Sequence, residues 1–472
     1  MQNIDEKQLR EIVHRVVKDL DANAVSCNST NHYGVFDSMD EAINASEKAQ
    51  RTYMLCSMAD REKYINALRE TILDPANMEK MSRDAVAETG MGKYEYKLIK
   101  NRLAATKSPG PESLATEAFS GDGGLTLVEY CPFGVIGAIT PATNPTETII
   151  CNSIGMLSGG NSVIFSPHPR AKKLSAWFVT ILNQALVAAG APDNLIATVR
   201  EPSVETTNEM MSHPKVRMLV ATGGPGIVKL VMSSGKKAIG AGAGNPPVVV
   251  DKTADIKKAA IDIVNGCAFD NNLPCIAEKE VVAVDSIADC LIQHMQENGA
   301  YLIKDATQIQ ALWDLVSNEK GGPAVNFVGK SATYILEKAG ISIAASAQEP
   351  KVIIMETNAD HPFVREEMMM PILPIVRARD VDTAIDLALE FENGNRHTAI
   401  MHSTDVDKLT KMAKLLQTTI FVKNAPSYAG IGVGGEGHAT FTIAGPTGEG
   451  LTCAKSFCRM RRCVMSEALH IR

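Results

Sequence analysis

The stretch VRMLVATGGPGIVKLV, residues 216–231, decides the fold. Val216 to Ala221 is an apolar run of strand length. Thr222, Gly223, Gly224, Pro225 and Gly226 then make a turn, and the chain continues with Val228, Leu230 and Val231 in a helical run. A strand that passes through a glycine-bounded turn into a helix is half of a βαβ unit. Backbone N–H groups at such a helix start can approach a pyrophosphate. The run lacks GxGxxG spacing, so by itself it is a weak nucleotide signal.

The same alternation continues on both sides. Val135 to Ile139, Val163 to Phe165 and Leu195 to Val199 read as short strands, with a helical run over Arg170 to Ala189 between the last two. A second strand-helix series starts at Val248 to Val250 and extends to about Val433. The pattern predicts two α/β domains with parallel sheets covered by helices on both faces. From Glu41 to Ala105 apolar residues recur at helical spacing, with Asp60 expected as an N-cap and Pro75 as a break. Between Gly121 and Tyr130 a glycine-rich turn leads into alternating Leu125 and Leu127, which predicts a hairpin.

The 472 residues exceed one hydrophobic core, and 45% hydrophobic with 21% charged residues is an ordinary globular composition. A net charge of -7 gives no footprint for nucleic acid or anionic membrane, so small-molecule chemistry is expected. The short basic cluster Arg459, Arg461 and Arg462 reads as a solvated or inter-subunit face. Ten cysteines without CxxC pairs and no apolar leader segment read as a reducing cytoplasm, with no metal expected. The nearly uncharged stretch from Tyr130 to His168 carries only Glu147 and is broken by prolines and glycines, which argues against a membrane span.

The first twenty residues stand apart. Leu9, Ile12, Val13, Val16, Val17 and Leu20 share one helical face and charged residues cover the other. The polar stretch 21–32 that follows has linker composition, so residues 1–20 are expected either as a docking helix or as a helix folded back on its own domain.

Cys275 lies in Phe269-Asp-Asn-Asn-Leu-Pro-Cys275, a polar loop after a helix, where a thiol can face a cleft and its thiolate can be stabilised. Three further loops are dense in Gly, Pro and Asn: Thr140-Pro141-Ala142-Thr143-Asn144-Pro145, Gly240 to Pro247, and Gly430 to Gly450. Taken singly, a cysteine is usually a small buried hydrophobe, and each loop is equally a connector. Loops at strand ends in open α/β sheets are also where ligands bind.

The order of these segments resembles the aldehyde dehydrogenase superfamily, and within it the coenzyme-A-acylating propionaldehyde and acetaldehyde dehydrogenases of propanediol and ethanolamine utilisation. The resemblance runs from about Tyr33 to Val464. Its most specific stretches are CPFGVIGAITPATNPTETIICNSIG, KKAIGAGAGNPPVVVD, FDNNLPCIAEKEV, EEMMMPILPIVR and FTIAGPTGEG. It implies two Rossmann-type α/β domains with a projecting oligomerisation hairpin. The expected division is an NAD-binding domain over 33–123 and 138–241, a catalytic domain over 242–433, and oligomerisation elements over 124–137 and 440–468.

Residue by residue, the resemblance implies Cys275 as the nucleophile that forms a thiohemiacetal, and Asn144 as the amide that forms an oxyanion hole with the Cys275 backbone N–H. Hydride passes to NAD, leaving an acyl thioester. Glu367 matches the acid that holds the nicotinamide ribose, and Thr222, Gly223 and Gly224 match the pyrophosphate loop. Ser166 and His168 lie where the family contacts the adenosine ribose, and Thr140, Pro141, Ala142, Thr143, Ala241 and Gly242 complete the expected cofactor contacts. A lysine common near Ser166 in hydrolytic members is absent, which leaves NAD versus NADP open.

At Ala241 hydrolytic relatives carry a glutamate, in Glu-Leu-Gly-Gly-Lys, that activates the deacylating water. This chain has Ala241-Gly-Ala-Gly-Asn245. Without that base the thioester is expected to wait for a thiol such as coenzyme A. The chain also has one residue more between Pro141 and Asn144 than the Pro-Trp-Asn of hydrolytic members, which bears on how the amide is aimed. The resemblance further implies a homo-oligomer, and a cytoplasmic bacterial microcompartment entered by residues 1–20 docking on a shell or cargo protein. Hydrolytic oxidation to free acid and a non-catalytic cargo or adaptor role are the alternatives.

Overall fold

The computed structural model describes residues 32–343 and 348–471, so the helix expected over 1–20 and nearly all of the linker lie outside the described residues. The first half contains β1 (Val35–Phe36), the hairpin β2 (Glu117–Gly121) and β3 (Gly124–Pro132), then β4 (Val135–Thr140), β5 (Ser162–Pro167), β6 (Ile196–Val199), β7 (Val216–Thr222) and β8 (Lys237–Ala241). Apart from the hairpin these form a parallel six-stranded sheet in the order β1-β6-β5-β4-β7-β8. Helices Pro145–Ser158, Lys172–Ala188, Val204–Ser212 and Pro225–Met232 connect successive strands from β4 to β8. Because β5 and β6 build outward on one side of β4 and β7 and β8 on the other, the order reverses between β4 and β7. A crevice therefore opens at the carboxyl ends of those strands.

The second half carries β9 (Pro247–Val250), β10 (Glu280–Val284), β11 (Ala300–Ile303), β12 (Val352–Glu356), β13 (Ile372–Ala378), β14 (Thr398–His402) and β15 (Ile420–Lys423). They pair in parallel in the order β11-β12-β13-β10-β9-β14-β15. Val248, Val249 and Val250 in the middle of this sheet are fully buried. Their continuous apolar run reflects coverage of both faces. After β16 (Ile443–Ala444) and β17 (Gly450–Leu451), β18 (Cys458–Ser466) runs antiparallel to β3 in a three-stranded sheet with β2.

This small sheet differs from its expected bounds. β2 lies before residue 124, and Val135 to Gly137 belong to the parallel sheet because the chain turns between them at Gly134, whose φ of 123° suits glycine. In the helical layer Asp60 is not the N-cap. Ser57 caps helix Met58–Leu73, and Asp60 returns the bond from the third helical position. Pro75 does not merely break the pattern: it is the first residue of helix Pro75–Thr89, capped by Asp74. No helix among the described residues is long and apolar enough to cross a membrane.

Candidate active site

Thr140, Ser166, Thr222 and Ala241 stand at the carboxyl ends of β4, β5, β7 and β8, four neighbouring strands. Register pairs Ile139 with both Ser166 and Ala221, and Thr222 with Ala241, so they line one rim of the sheet. In the second sheet the chemistry lies at the opposite ends. Gly244, Lys279, Glu367 and His397 come just before β9, β10, β13 and β14, which are adjacent in the sheet.

Three of the singled-out loops meet between the two rims. Ala142 from the Thr140–Pro145 loop, Leu273 from the cysteine loop, Met91 and Val328 form one small buried apolar cluster, with Met369 of the Glu367 loop packed against it. The loop 240–247 joins them at Gly244. A Cβ there would stand 2.7 Å from the Cys275 carbonyl oxygen and 2.9 Å from the His397 ring, so only glycine allows this approach. The Gly244 N–H is donated to the Glu367 carboxylate.

Cys275 keeps partial solvent contact as a residue. Its thiol is nevertheless pushed up to about 12 by desolvation, with the Glu367 carboxylate adding to the rise and Lys279 and Lys100 opposing it. The thiolate stabilisation expected from the sequence is thus absent in the free protein, because a packed pocket disfavours the anion more than the two ammonium groups favour it. Burial also pushes Glu367 up to about 7, opposed by Lys279, whose Nζ lies 4.0 Å from its Oε1. Lys279 donates to the Asn272 carbonyl at 3.0 Å and to Asn272 Oδ1 at 2.6 Å. His397 is buried and lowered to about 4, so its imidazole is neutral near pH 7. Its Nδ1 is 2.9 Å from Thr398 Oγ1.

Asn144 is buried at the start of helix Pro145–Ser158. Its Oδ1 accepts from Lys100 Nζ at 2.6 Å, and the Thr143 carbonyl accepts from Lys97 Nζ at 2.6 Å. Both lysines are fully buried beside Glu147 and Asp270.

The aldehyde dehydrogenase family model matches residues 28–445. A propanal dehydrogenase (CoA-propanoylating) of Salmonella typhimurium is 51% identical over 441 residues, covering 93% of each chain. The propionaldehyde dehydrogenase of Rhodopseudomonas palustris, solved with bound CoA and an acylated cysteine, is 68% identical. It superposes with a TM-score of 0.91 over 93% of this chain and 100% of that one. A propionaldehyde dehydrogenase from the Clostridium phytofermentans fucose utilisation bacterial microcompartment is 54% identical, with a TM-score of 0.90 over the same shares.

The chain belongs to the aldehyde dehydrogenase family. In this aldehyde dehydrogenase the expected cofactor residues divide into spent and available groups. The Ser166 hydroxyl is 2.7 Å from Thr207 Oγ1, and the Thr222 hydroxyl 2.8 Å from Thr442 Oγ1. Gly223 N–H is donated to the Ala241 carbonyl at 3.1 Å. Gly224 and Gly226 are exposed, and a Cβ at either would meet open space, which leaves backbone accessible at this turn. The Thr140 hydroxyl, Glu367 Oε1 and His397 Nε2 are buried with no hydrogen-bond partner among the described residues. A buried polar atom without a partner is costly, and these three stand at the two facing strand rims. Pro141, Thr143 and Gly242 keep partial exposure, and His168 is exposed with Nδ1 accepting the Arg170 N–H.

The sequence reading missed Lys97, Lys100, Asp270, Lys279 and His397 as parts of this centre. For the two lysines a partial signal existed: Glu147 is the single charge in a long apolar segment, and a buried carboxylate that stays ionised needs cations or donors beside it.

Proposed function

We propose that this chain oxidises a short-chain aldehyde, propionaldehyde or acetaldehyde, with NAD+ and coenzyme A to acyl-CoA and NADH, reversibly, through a thioester on Cys275. The observation that carries this reading is the end of β8. There, at the place of the hydrolytic glutamate, stands the buried methyl of Ala241, its carbonyl tied to Gly223. No carboxylate at that position activates water, which favours release of the acyl group by a thiol. The relatives named for CoA-propanoylation and solved with CoA and an acylated cysteine support the same step.

In this reading Cys275 attacks the aldehyde carbonyl, and Asn144 Nδ2 with the Cys275 backbone N–H receives the oxyanion. Glu367 would accept the ribose hydroxyls of the nicotinamide half. Thr140 and the open backbone at Gly224 would hold the rest of the dinucleotide, with Thr222, Gly223, Ser166 and His168 lining its course along the rim. NAD supplies the hydride acceptor when bound. The test is NADH formation from propionaldehyde with and without CoA. About one NADH per active site without CoA and steady turnover with it are expected. Steady release of propionate without CoA, at a rate matching the CoA reaction, would reject the acylating assignment.

The domain division given above and the projecting three-stranded sheet are read as those of a homo-oligomer. Met460, Val464, Met465 and Phe119 leave apolar side chains exposed on β18 and β2, and Arg459 lies over the Phe133 ring. Residues 1–20 are read as a docking helix for a microcompartment shell or cargo protein, a reading supported by the relative from a fucose utilisation microcompartment. Fusing residues 1–20 to a fluorescent protein should carry it into co-purification with shell proteins, and failure to do so would remove the docking role.

A further inference from the structure

We propose that Lys100 is a positioning residue for acyl transfer: within a buried cluster with Lys97, Glu147 and Asp270, it fixes the Asn144 carboxamide and ties the Asn144 loop to the cysteine loop. This rests on the reading of Asn144 as the oxyanion donor.

A carboxamide has one accepting and one donating end, and an ammonium only donates. With Lys100 Nζ at 2.6 Å, the atom facing it must be Oδ1. The flipped amide would set two donors against each other. Lys100 therefore turns Nδ2 to the donor side, where one N–H reaches Thr143 Oγ1 at 3.4 Å and the other is left for an oxyanion, and its charge polarises the amide toward stronger donation. Burial by itself lowers the Lys100 pKa, but Asp270 at 2.5 Å and Glu147 at 2.9 Å hold it above the usual lysine range.

The cluster is also a clamp. Lys97 holds the Thr143 carbonyl at 2.6 Å and lies 3.2 Å from Asp270, whose other oxygen accepts the Lys93 N–H at 2.8 Å. Asp270 opens the run Asp270, Asn271 and Asn272, all at positive φ, that delivers Cys275. Two lysines and two acids so join the donor to the nucleophile across the two halves of the protein. Stability does not account for them, since a buried ion cluster is often no better than apolar residues of the same volume. Holding two reacting loops in register does account for them.

The test is a double-mutant cycle on the NADH burst in a single turnover with propionaldehyde. Lys100→Met/Glu147→Gln removes one charge of each sign, and Lys100→Arg, which keeps the charge its acidic neighbours need, runs the same cycle if the first pair does not fold. Each is combined with Asn144→Ala. The burst should slow about 10²-fold in the Lys100→Met pair and at least tenfold in Lys100→Arg, with NAD+ affinity within about threefold of the parent. In the Asn144→Ala background the same changes should cost less than about threefold, because the group they act through is gone. Losses that multiply in full would overturn the positioning role while leaving the proposed reaction intact. An Asn144→Ala variant with a normal burst would instead remove the oxyanion reading itself.

Discussion

A thiol pushed up to about 12 makes a quantitative demand on the chemistry of Cys275. At pH 7.5 its thiolate population is about 3,000-fold below that of a free cysteine of pKa near 8.5. Intrinsic nucleophilicity rises with basicity, with a Brønsted slope of about 0.4–0.5, and returns roughly 40-fold of this. Iodoacetamide should therefore modify Cys275 in the free enzyme about 10²-fold more slowly than free cysteine, with a rate that climbs less steeply while Glu367 ionises around pH 7, climbs tenfold per pH unit above pH 8, and shows no plateau below pH 10. Cys290 and Cys463 are exposed and will react first, so the adduct must be followed on the Cys275 peptide by mass spectrometry. Glu367→Gln is the decisive perturbation, since that carboxylate raises the thiol further and itself titrates at about 7. Above pH 8 its removal should enlarge the thiolate population, and each tenfold of that gain, about 1.4 kcal/mol of interaction, leaves about threefold in rate after the Brønsted correction. At pH 6, where the native carboxyl is already protonated, the two proteins should react alike. A plateau below pH 9 in the parent, or profiles that superpose at pH 9, would refute this electrostatic picture.

Cys275→Ala should remain folded and bind NAD+ with near-native affinity while showing no turnover; residual dehydrogenase activity would move the nucleophile elsewhere, with buried Cys267 the first to test. Glu278 is pushed up to about 7 by burial, although Ser427 donates its N–H at 2.8 Å and its hydroxyl at 2.7 Å. Its folded value lies above the unfolded value of about 4.3, so the folded state binds the proton more tightly. Its contribution is fully present below pH 4 and is lost as pH rises toward 7, by at most about 3.5 kcal/mol. Urea midpoints measured from pH 5 to 8 should fall less steeply in Glu278→Gln, and parallel curves would contradict the assignment. Ala241→Glu should raise propionate release without CoA by up to about tenfold if the new carboxylate reaches the attacking water; unchanged release with a normal NADH burst would show that it does not.

Both parallel sheets were legible because their strands are short apolar runs set apart by glycine and proline, from Val135 to Thr140 and from Pro247 to Val250. The hairpin was legible from its alternation, but not the switch at Gly134 from one sheet to another, which depends on long-range pairing of β4 with β5 and β7. The nucleophile loop and the Asn144 loop could be picked out by composition and resemblance. The groups that tune them could not: Lys97 and Lys100, three apart on helix Tyr94–Lys107, look like a solvated face until the fold brings Glu147 and Asp270 against them. Lys279 and His397 carry no local signal, since each gains its role only when neighbouring strand ends converge.

Several local rules are broken close together here, which is independent support for a reacting centre. Asn144 occupies an N-cap position, yet its side chain makes no capping bond. Its oxygen is given to Lys100 instead, forgoing about 1 kcal/mol that an asparagine cap usually contributes. Asp270, Asn271 and Asn272 are held at φ of 51°, 55° and 64°, a backbone region costly for any non-glycine residue and tolerated best by these two types. Two lysines and two acids are buried beneath the two loops, and Thr140, Glu367 and His397 present buried polar atoms that have no hydrogen-bond partner among the described residues. Each feature costs stability, and none is needed to pack either sheet. A fold that concentrates such costs where two strand rims meet is holding donors, thiol and cofactor contacts in place before the substrate arrives.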